Sequence, residues 1–287
     1  MPNIGRWLPV CVGVGVALTV LLGAYPTTDD FDGQNPFWNG LSSMVAEFAM
    51  QEVTAGALPR DGANVWLLLI PGVPLTGPEI QRVADFVSRD GGTLVLADDF
   101  GYGNAVARSL GLRDVFSQQP VIDPLIHGAN ANLPQVTFQR PGSDISIVTN
   151  QPSSLQNLSS EDVQASSSRF SFLDTNANGL WETQEPSGPL PIFAVIPLGA
   201  GSVNIISDAS VFINGMFTKN RPFAGMLFSG RTALLFQSEN THSRLGEIKN
   251  VISFANEQLK TPVLLTLGIA LAIAVPFWKI RRAEERS

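Results

Sequence analysis

With 287 residues, a formal net charge of -7 and a single cysteine, the chain excludes a disulfide-stapled scaffold and disfavours nucleic acid as a partner. No cluster of Lys and Arg occurs before the last nine residues, so no basic surface is available to follow a phosphate backbone.

Residues 1–6 form a short N-terminus that is expected to be cytoplasmic. From Trp7 to Tyr25 the chain carries no charge and is rich in Val, Leu, Ala and Gly. As a helix this run is roughly 28 Å long, about the thickness of a bilayer's hydrocarbon core. A cleaved signal peptide is the alternative, although Leu22-Gly23-Ala24-Tyr25-Pro26 is a poor small-residue cleavage site. A second uncharged run, Pro262 to Trp278, spans roughly 25 Å as a helix, and a basic tail, 279–287, follows it. Lys279, Arg281, Arg282 and Arg286 stand after the second run, and Asp29, Asp30 and Asp32 stand after the first. The positive-inside rule then puts both termini in the cytoplasm and residues 26–260 outside the cell, in a two-pass protein of the cell membrane.

Within 26–260, Met44, Val45, Phe48 and Ala49 recur at helical spacing. Val65 to Ile70 is a continuous apolar run ended by Pro71-Gly72, as expected of a strand buried on both faces. Thr76, Pro78 and Glu79 carry the signals of a helix start, with Ile80, Val83, Ala84 and Val87 as its apolar stripe. Gly91-Gly92 stops that helix and Thr93 to Ala97 is the next strand, so 65–97 reads as a parallel crossover unit. Asp98-Asp99 follows, then a helix over 104–110. Val121 to Leu125 and Ile145 to Val148 read as short strands, and 151–169, rich in Ser and Gln, as an exposed loop. Ile192 to Ile196 and Ser202 to Ile206 form a hairpin about Gly199-Ala200-Gly201. A helix over 222–228, a strand over 233–236 and a helix over 243–259 complete an α/β fold with a mostly parallel sheet and helices on both faces.

The order of these pieces resembles a family of membrane-anchored archaeal and bacterial proteins carrying a domain of unknown function. The matching residues are Asn35-Pro36 with Asn39-Gly40-Leu41-Ser42, Gly91 to Asp98, and Ile205-Ile206-Ser207-Asp208. Phe172 to Asn176 and Pro186 to Pro189 look closest to archaeal members. The resemblance implies a flavodoxin-like, glutamine-amidotransferase-like sandwich, similar to the extracytoplasmic domain of gliding-type ABC-transporter auxiliary subunits. It implies no established activity. An amidotransferase needs a cysteine nucleophile at a strand-to-helix elbow, and Cys11 lies inside the first apolar run.

The sharpest chemical signal is Asp174 to Glu185. With Asp174 at position 1, Asn176 and Asn178 fall at 3 and 5, Gly179 at 6, Leu180 at 7, Glu182 at 9 and Glu185 at 12, the ligand order of an EF-hand calcium loop. The Leu180 carbonyl and the five side chains would supply the oxygens a hard cation takes. Pro186 forbids a normal exiting helix, so the loop is expected to be a structural calcium clip with affinity of roughly 10⁻⁴ to 10⁻³ M. The competing reading is an Asn- and Gly-rich turn whose side chains cap their own backbone. Asp98 and Asp99 sit where open α/β sheets place their crevice; an acid/base pair or a magnesium site is the functional reading, and the favoured one has Asp98 capping the following turn and Asp99 solvated. His127 and His242 lack a nucleophile elbow or HExxH context, and Gly101-Tyr102-Gly103 reads as a turn opening a helix.

The expected function is a non-enzymatic binding or assembly domain on the membrane, an accessory of a transport or cell-envelope complex such as an ABC transporter. Its expected partners are the lipid bilayer and that complex. The alternative is an extracytoplasmic hydrolase or ligand-binding enzyme using Asp98, Asp99 and Asp208.

Overall fold

A computed structural model describes residues 25–139 and 144–238. The chain divides into two units, 1–27 with 242–287, and Thr28–Thr241, and the described secondary structure belongs to the second. The two apolar runs, apart from Tyr25, and the helix expected over 243–259 lie outside the described residues. Among the described residues no helix is long and apolar enough to cross a membrane.

A seven-stranded mixed sheet organises the domain, in the order β1-β11-β2-β3-β10-β9-β7. Its first five members, β1 (Gln51–Val53), β11 (Thr232–Phe236), β2 (Val65–Leu69), β3 (Thr93–Ala97) and β10 (Gly201–Ile206), are parallel. β9 (Pro191–Leu198) pairs antiparallel with β10, and β7 (Val163–Ser166) antiparallel with β9. The hairpin expected about Gly199 is therefore present. β7 corrects the reading of 151–169 as a loop: four of its residues form an edge strand, whose polar, bulged sequence hid it.

The continuous apolar runs are explained by burial on both faces. Leu68, Val95, Ala97 and Ile206 point into one core, and Leu67, Leu69, Leu94, Leu96, Val203 and Ile205 into the other. Each Leu, Val or Ile among them contributes about 1.5–3 kcal/mol on full burial. Helices α1 (Ser42–Phe48) and α4 (Asn214–Phe228) cover the first face. Helices α2 (Gly77–Ser88) and α3 (Gly103–Ser109) cover the second. α4 begins eight residues before the helix expected over 222–228, because Pro222 lies inside it rather than at its start. Its polar first turn is held by the chain around Trp38: Asn214 N–H donates to the Gly40 carbonyl at 2.8 Å, and Gly215 N–H to the Trp38 carbonyl at 2.9 Å.

The start of α2 is as its sequence dictates. Thr76 and Glu79 form a reciprocal capping box, with Thr76 N–H donating to Glu79 Oε2 at 2.7 Å. Thr76→Ala should cost about 1 kcal/mol, read as a fall in melting temperature of about 2–4 °C. An unchanged melting temperature would show that the cap contributes nothing.

Two small ladders complete the domain, β4 (Val121–Ile122) with β8 (Phe172–Leu173), and β5 (Gln135–Phe138) with β6 (Ile145–Val148). β4 is shorter than expected because Asp123 Oδ1 turns back to accept from the Leu125 and Ile126 N–H groups, at 3.1 and 2.8 Å. The segment between β3 and β9 leaves the sheet at the carboxyl end of the parallel strands, contributes the edge strand β7, and returns to that end to enter β9. It is bonded there by Ser153 N–H to the Ser207 carbonyl at 2.8 Å.

Candidate functional site

The boundary between β3 and β10 is the switch point of the sheet. The chain leaving β3 enters α3 on one face, and the chain leaving β10 reaches α4 on the other. Open α/β sheets usually place their ligand crevice at such a divergence, outside the carboxyl ends of the two strands. Asp98, Asp99 and Asp208 stand there. Ala97 pairs with Ile206, and Asp98 N–H donates to the Ile206 carbonyl at 3.1 Å, so the ladder runs on one residue past β3.

Asp98 is buried and acts as the cap the sequence favoured. Its Oδ1 accepts from Gly101 N–H at 3.0 Å and its Oδ2 from Gly103 N–H at 2.6 Å. A Cβ on Gly103 would lie 2.5 Å from Phe116 Cε2 and 2.7 Å from Asp98 Oδ2, so the turn closes only on glycine. Burial pushes the Asp98 carboxyl up to about 6, against the Gly103 N–H, which lowers it, and with the Asp99 charge, which raises it. Asp99, expected to be solvated, is half-buried; Phe100 N–H donates to its Oδ1 at 2.6 Å, and burial raises its pKa.

Asp208 is fully buried. Its Oδ2 accepts from Asn150 N–H at 2.6 Å and its Oδ1 from Ser210 N–H at 2.7 Å, capping the 3-10 turn Ala209–Phe212. Burial drives this carboxyl up to about 8, the Asn150 N–H opposes it, and the negative charge of Asp99 adds to it. Near neutral pH Asp208 therefore holds a proton beside Asp99, an arrangement able to give and take a proton.

Sequence reasoning missed the amides that tie the inserted segment to the core. Asn220 is fully buried in α4, accepting from Val148 N–H at 2.8 Å and donating to the Val148 and Val211 carbonyls at 2.9 and 3.1 Å. Only its place on the apolar stripe of a helix could have signalled it. Asp123 Oδ2 and Ser153 Oγ are buried without a hydrogen-bond partner, on strips joined by Val121 N–H to the Pro152 carbonyl at 2.8 Å.

The calcium-type loop follows β8, a strand where an EF-hand has a helix. Asp174 and Glu185, its first and twelfth positions, are both buried. Asp174 accepts from Asn178 N–H at 3.1 Å and Gly179 N–H at 2.8 Å; Glu185 accepts from Thr175 N–H at 2.8 Å and Glu182 N–H at 3.1 Å. Asn176 Oδ1 accepts from Asn178 N–H at 3.1 Å, Asn178 Oδ1 from Leu180 N–H at 2.7 Å, and Asn178 Nδ2 donates to Glu182 Oε1 at 3.0 Å. Gly179 has φ +75°, the left-handed turn expected at position 6. The two buried carboxylates thus bind the loop's own backbone; Glu185 Oε1 also accepts from Thr175 Oγ1 at 3.2 Å, so its two lone pairs are both engaged. Among the described residues no three or more His, Cys, Asp or Glu side chains group as a metal site. An ion here would be held by amide and carbonyl oxygens as much as by carboxylates.

His127 lies on an exposed loop, its Nδ1 3.1 Å from the Gly128 carbonyl oxygen, and His242 lies outside the described residues. A groove of about 580 Å³ runs along β7 and β9, lined by Glu161, Asp162, Gln164, Val195, Ile196 and Pro197. It gathers none of the residues singled out from the sequence.

A family model described as a domain of unknown function, DUF4350, matches residues 35–226. The chain belongs to this family. The match begins at Asn35, the buried residue that opens the turn before α1, and ends within α4, so the DUF4350 region takes in the crevice and the calcium-type loop. None of the curated proteins matches the chain. Among solved structures it is similar to the mmIFT52 N-terminal domain, at 14% identity, 61% of this chain, 79% of that chain and a TM-score of 0.41. It is also similar to the exo-beta-1,4-mannosidase Op5Man5 from Opitutaceae bacterium strain TAV5, at 13% identity, 61% of this chain, 26% of that one and a TM-score of 0.33.

Proposed function

We propose that this DUF4350 chain is a non-enzymatic, membrane-anchored domain displayed outside the cell, which binds or assembles with a membrane complex. Residues 7–25 and 262–278 anchor it, with both termini in the cytoplasm. The domain between them is a flavodoxin-like, amidotransferase-like sandwich, and its partner is a transport or cell-envelope complex such as an ABC transporter. The observation that supports a binding role is the commitment of Asp98 and Asp208. All four of their oxygens accept backbone N–H groups, so both carboxylates hold loops in place at the crevice.

Calcium is the proposed structural ion. Asp174, Asn176, Asn178, the Leu180 carbonyl, Glu182 and Glu185 present the hard oxygen donors it takes, and the buried ends of the loop suit a clip. Strand β8 before the loop and Pro186 after it leave no paired helices to swing, so the ion would rigidify rather than switch.

Cross-linking in native membranes followed by purification should recover the chain with a membrane complex; recovery of the chain alone would sink the assembly reading. The second reading, an enzyme working through acid and base carboxylates, is favoured by the proton on Asp208 beside Asp99. A hydrolytic activity lost in Asp99→Asn at unchanged melting temperature would establish it in place of the first.

A further inference from the structure

Asn157-Leu158-Ser159 is the one Asn-X-Ser/Thr triplet, with X other than proline, in the 287 residues. A transferase that glycosylates asparagine reads such a triplet, and it needs the amide and the hydroxyl on an accessible loop. The fold supplies this presentation. Leu155 bridges antiparallel to Phe116, and Gln156 N–H donates to the Val115 carbonyl at 2.8 Å, so the chain is held up to the residue before the triplet. Asn157 then takes φ +56°, a left-handed conformation that asparagine tolerates better than most side chains, and the chain bends there. Leu158 is half-buried and packs against the core of the second face, while Asn157 and Ser159 on either side of it are exposed. One apolar side chain thus pins the centre of the triplet and leaves both of its polar ends to solvent. Beyond it, Asp162 N–H donates to the Ser159 carbonyl at 3.1 Å, and the chain enters β7.

The amide is positioned without being used up. Asn157 Nδ2 donates to the Asp114 carbonyl, on the loop after α3, at 2.8 Å. A primary amide has two N–H groups. Replacing one of them by a sugar leaves the other, so the modified side chain keeps a donor for Asp114. Other exposed asparagines of the inserted segment lack the hydroxyl: two residues after Asn130, Asn176 and Asn178 stand Asn132, Asn178 and Leu180. The modification is thereby confined to one position.

We propose that Asn157 is an N-glycosylation site, loaded with an oligosaccharide from a polyprenyl-phosphate-linked donor. The bond between Asn157 Nδ2 and the anomeric carbon of the sugar forms as the bond from that carbon to the donor's phosphate oxygen breaks. One Nδ2 proton goes to a base of the transferase, the lipid phosphate leaves, and nothing is oxidised or reduced. The inference rests on the reading above that the domain is displayed outside the cell, the side on which asparagine is glycosylated.

The test uses the full chain made in its own cells and purified from their membranes, with the peptide holding Asn157 weighed by mass spectrometry. In the parent that peptide should carry the added mass of an oligosaccharide. Asn157→Gln and Ser159→Ala should each return it to the unmodified mass, and Ser159→Thr, which keeps the hydroxyl, should retain the sugar. Both positions are exposed, and the Asp162 bond uses the Ser159 backbone, so the variants leave the core untouched. An unmodified parent peptide, or a sugar that survives Ser159→Ala, overturns the proposal. Location is read separately, on intact cells, by a membrane-impermeant maleimide and an Arg60→Cys variant in a Cys11→Ser background; Arg60 is exposed and Cys11 is the chain's one cysteine. Labelling of intact cells with a bare Asn157 defeats this inference alone. Labelling only after lysis, again with a bare Asn157, defeats the outside reading and this inference together.

Discussion

The melting temperature of the protein should rise as the pH is lowered from about 8.5 to about 5.5. Two buried carboxyls set the direction. In the unfolded chain both titrate near 3.8, and in the folded chain Asp98 titrates at about 6 and Asp208 at about 8. Because the folded values are the raised ones, the folded state binds more protons than the unfolded state at every pH between. Stability is greatest below the unfolded value and is lost as the pH climbs through 6 and then 8. A shift of one unit is worth about 1.4 kcal/mol, so the loss across the window is on the order of a few kcal/mol. Asp208→Asn should flatten the profile between about pH 6 and 8. It should also lower the acid plateau, since an amide nitrogen cannot accept the N–H of Asn150 or Ser210 as a carboxyl oxygen does. Thermal unfolding followed by circular dichroism across the pH series reads both effects. A melting temperature that falls steadily from pH 8.5 to 5.5 would show that neither carboxyl carries the raised value.

Calcium at about 10 mM should raise the melting temperature by about 3–10 °C. The range follows from an affinity of roughly 10⁻⁴ to 10⁻³ M, which gives about 1.4–2.7 kcal/mol of binding-linked stability, and from about 2–4 °C per kcal/mol in a domain of this size. Magnesium at the same concentration should do far less, because it demands a small octahedral shell and gives up water reluctantly. Asp174→Ala and Glu185→Gln should each abolish the response. Both also remove acceptors from the loop's N–H groups, so both variants should melt lower than the parent without calcium. The diagnostic quantity is therefore the shift on adding calcium, not the absolute melting temperature. An unchanged melting temperature in the parent, with no heat on titration, would leave Asp174 to Glu185 as a self-capped turn.

These two experiments address different ends of one arrangement. The pH profile asks whether the crevice carboxyls are structural proton stores; the calcium shift asks whether the inserted segment is clipped from outside. Asn150 connects them, since it lies in that segment and donates to Asp208.

Much of the fold was legible along the chain because burial on both faces leaves an unmistakable pattern. Val65 to Leu69 and Thr93 to Ala97 had to be apolar throughout, and Thr76 with Glu79 announced a helix start whose bonds are purely local. The hairpin about Gly199 and the capping role of Asp98 were readable for the same reason: each depends on neighbours a few residues away. β1 and β7 were not readable. Their sequences, Gln51-Glu52-Val53 and Val163-Gln164-Ala165-Ser166, are those of edge strands with one side to solvent, and pairing partners far along the chain make them strands. Pro222 misplaced the start of α4, because the first turn of that helix is held by the chain around Trp38 and Gly40, which lies more than 170 residues earlier.

The amino-acid sequence by itself determined the two uncharged runs and their charged flanks, the α/β order, and the spacing of oxygen donors from Asp174 to Glu185. All three are properties of local composition or periodicity. Only the tertiary structure decided that Asp208 stands beside Asp98 and Asp99, more than 100 residues earlier, at the boundary where the chain turns to opposite faces. It also decided that Asp208 is dry enough to keep its proton. The reason is that desolvation is a property of everything packed around a group, and the packing around Asp208 is supplied by Asn150, Ser210 and the end of β3.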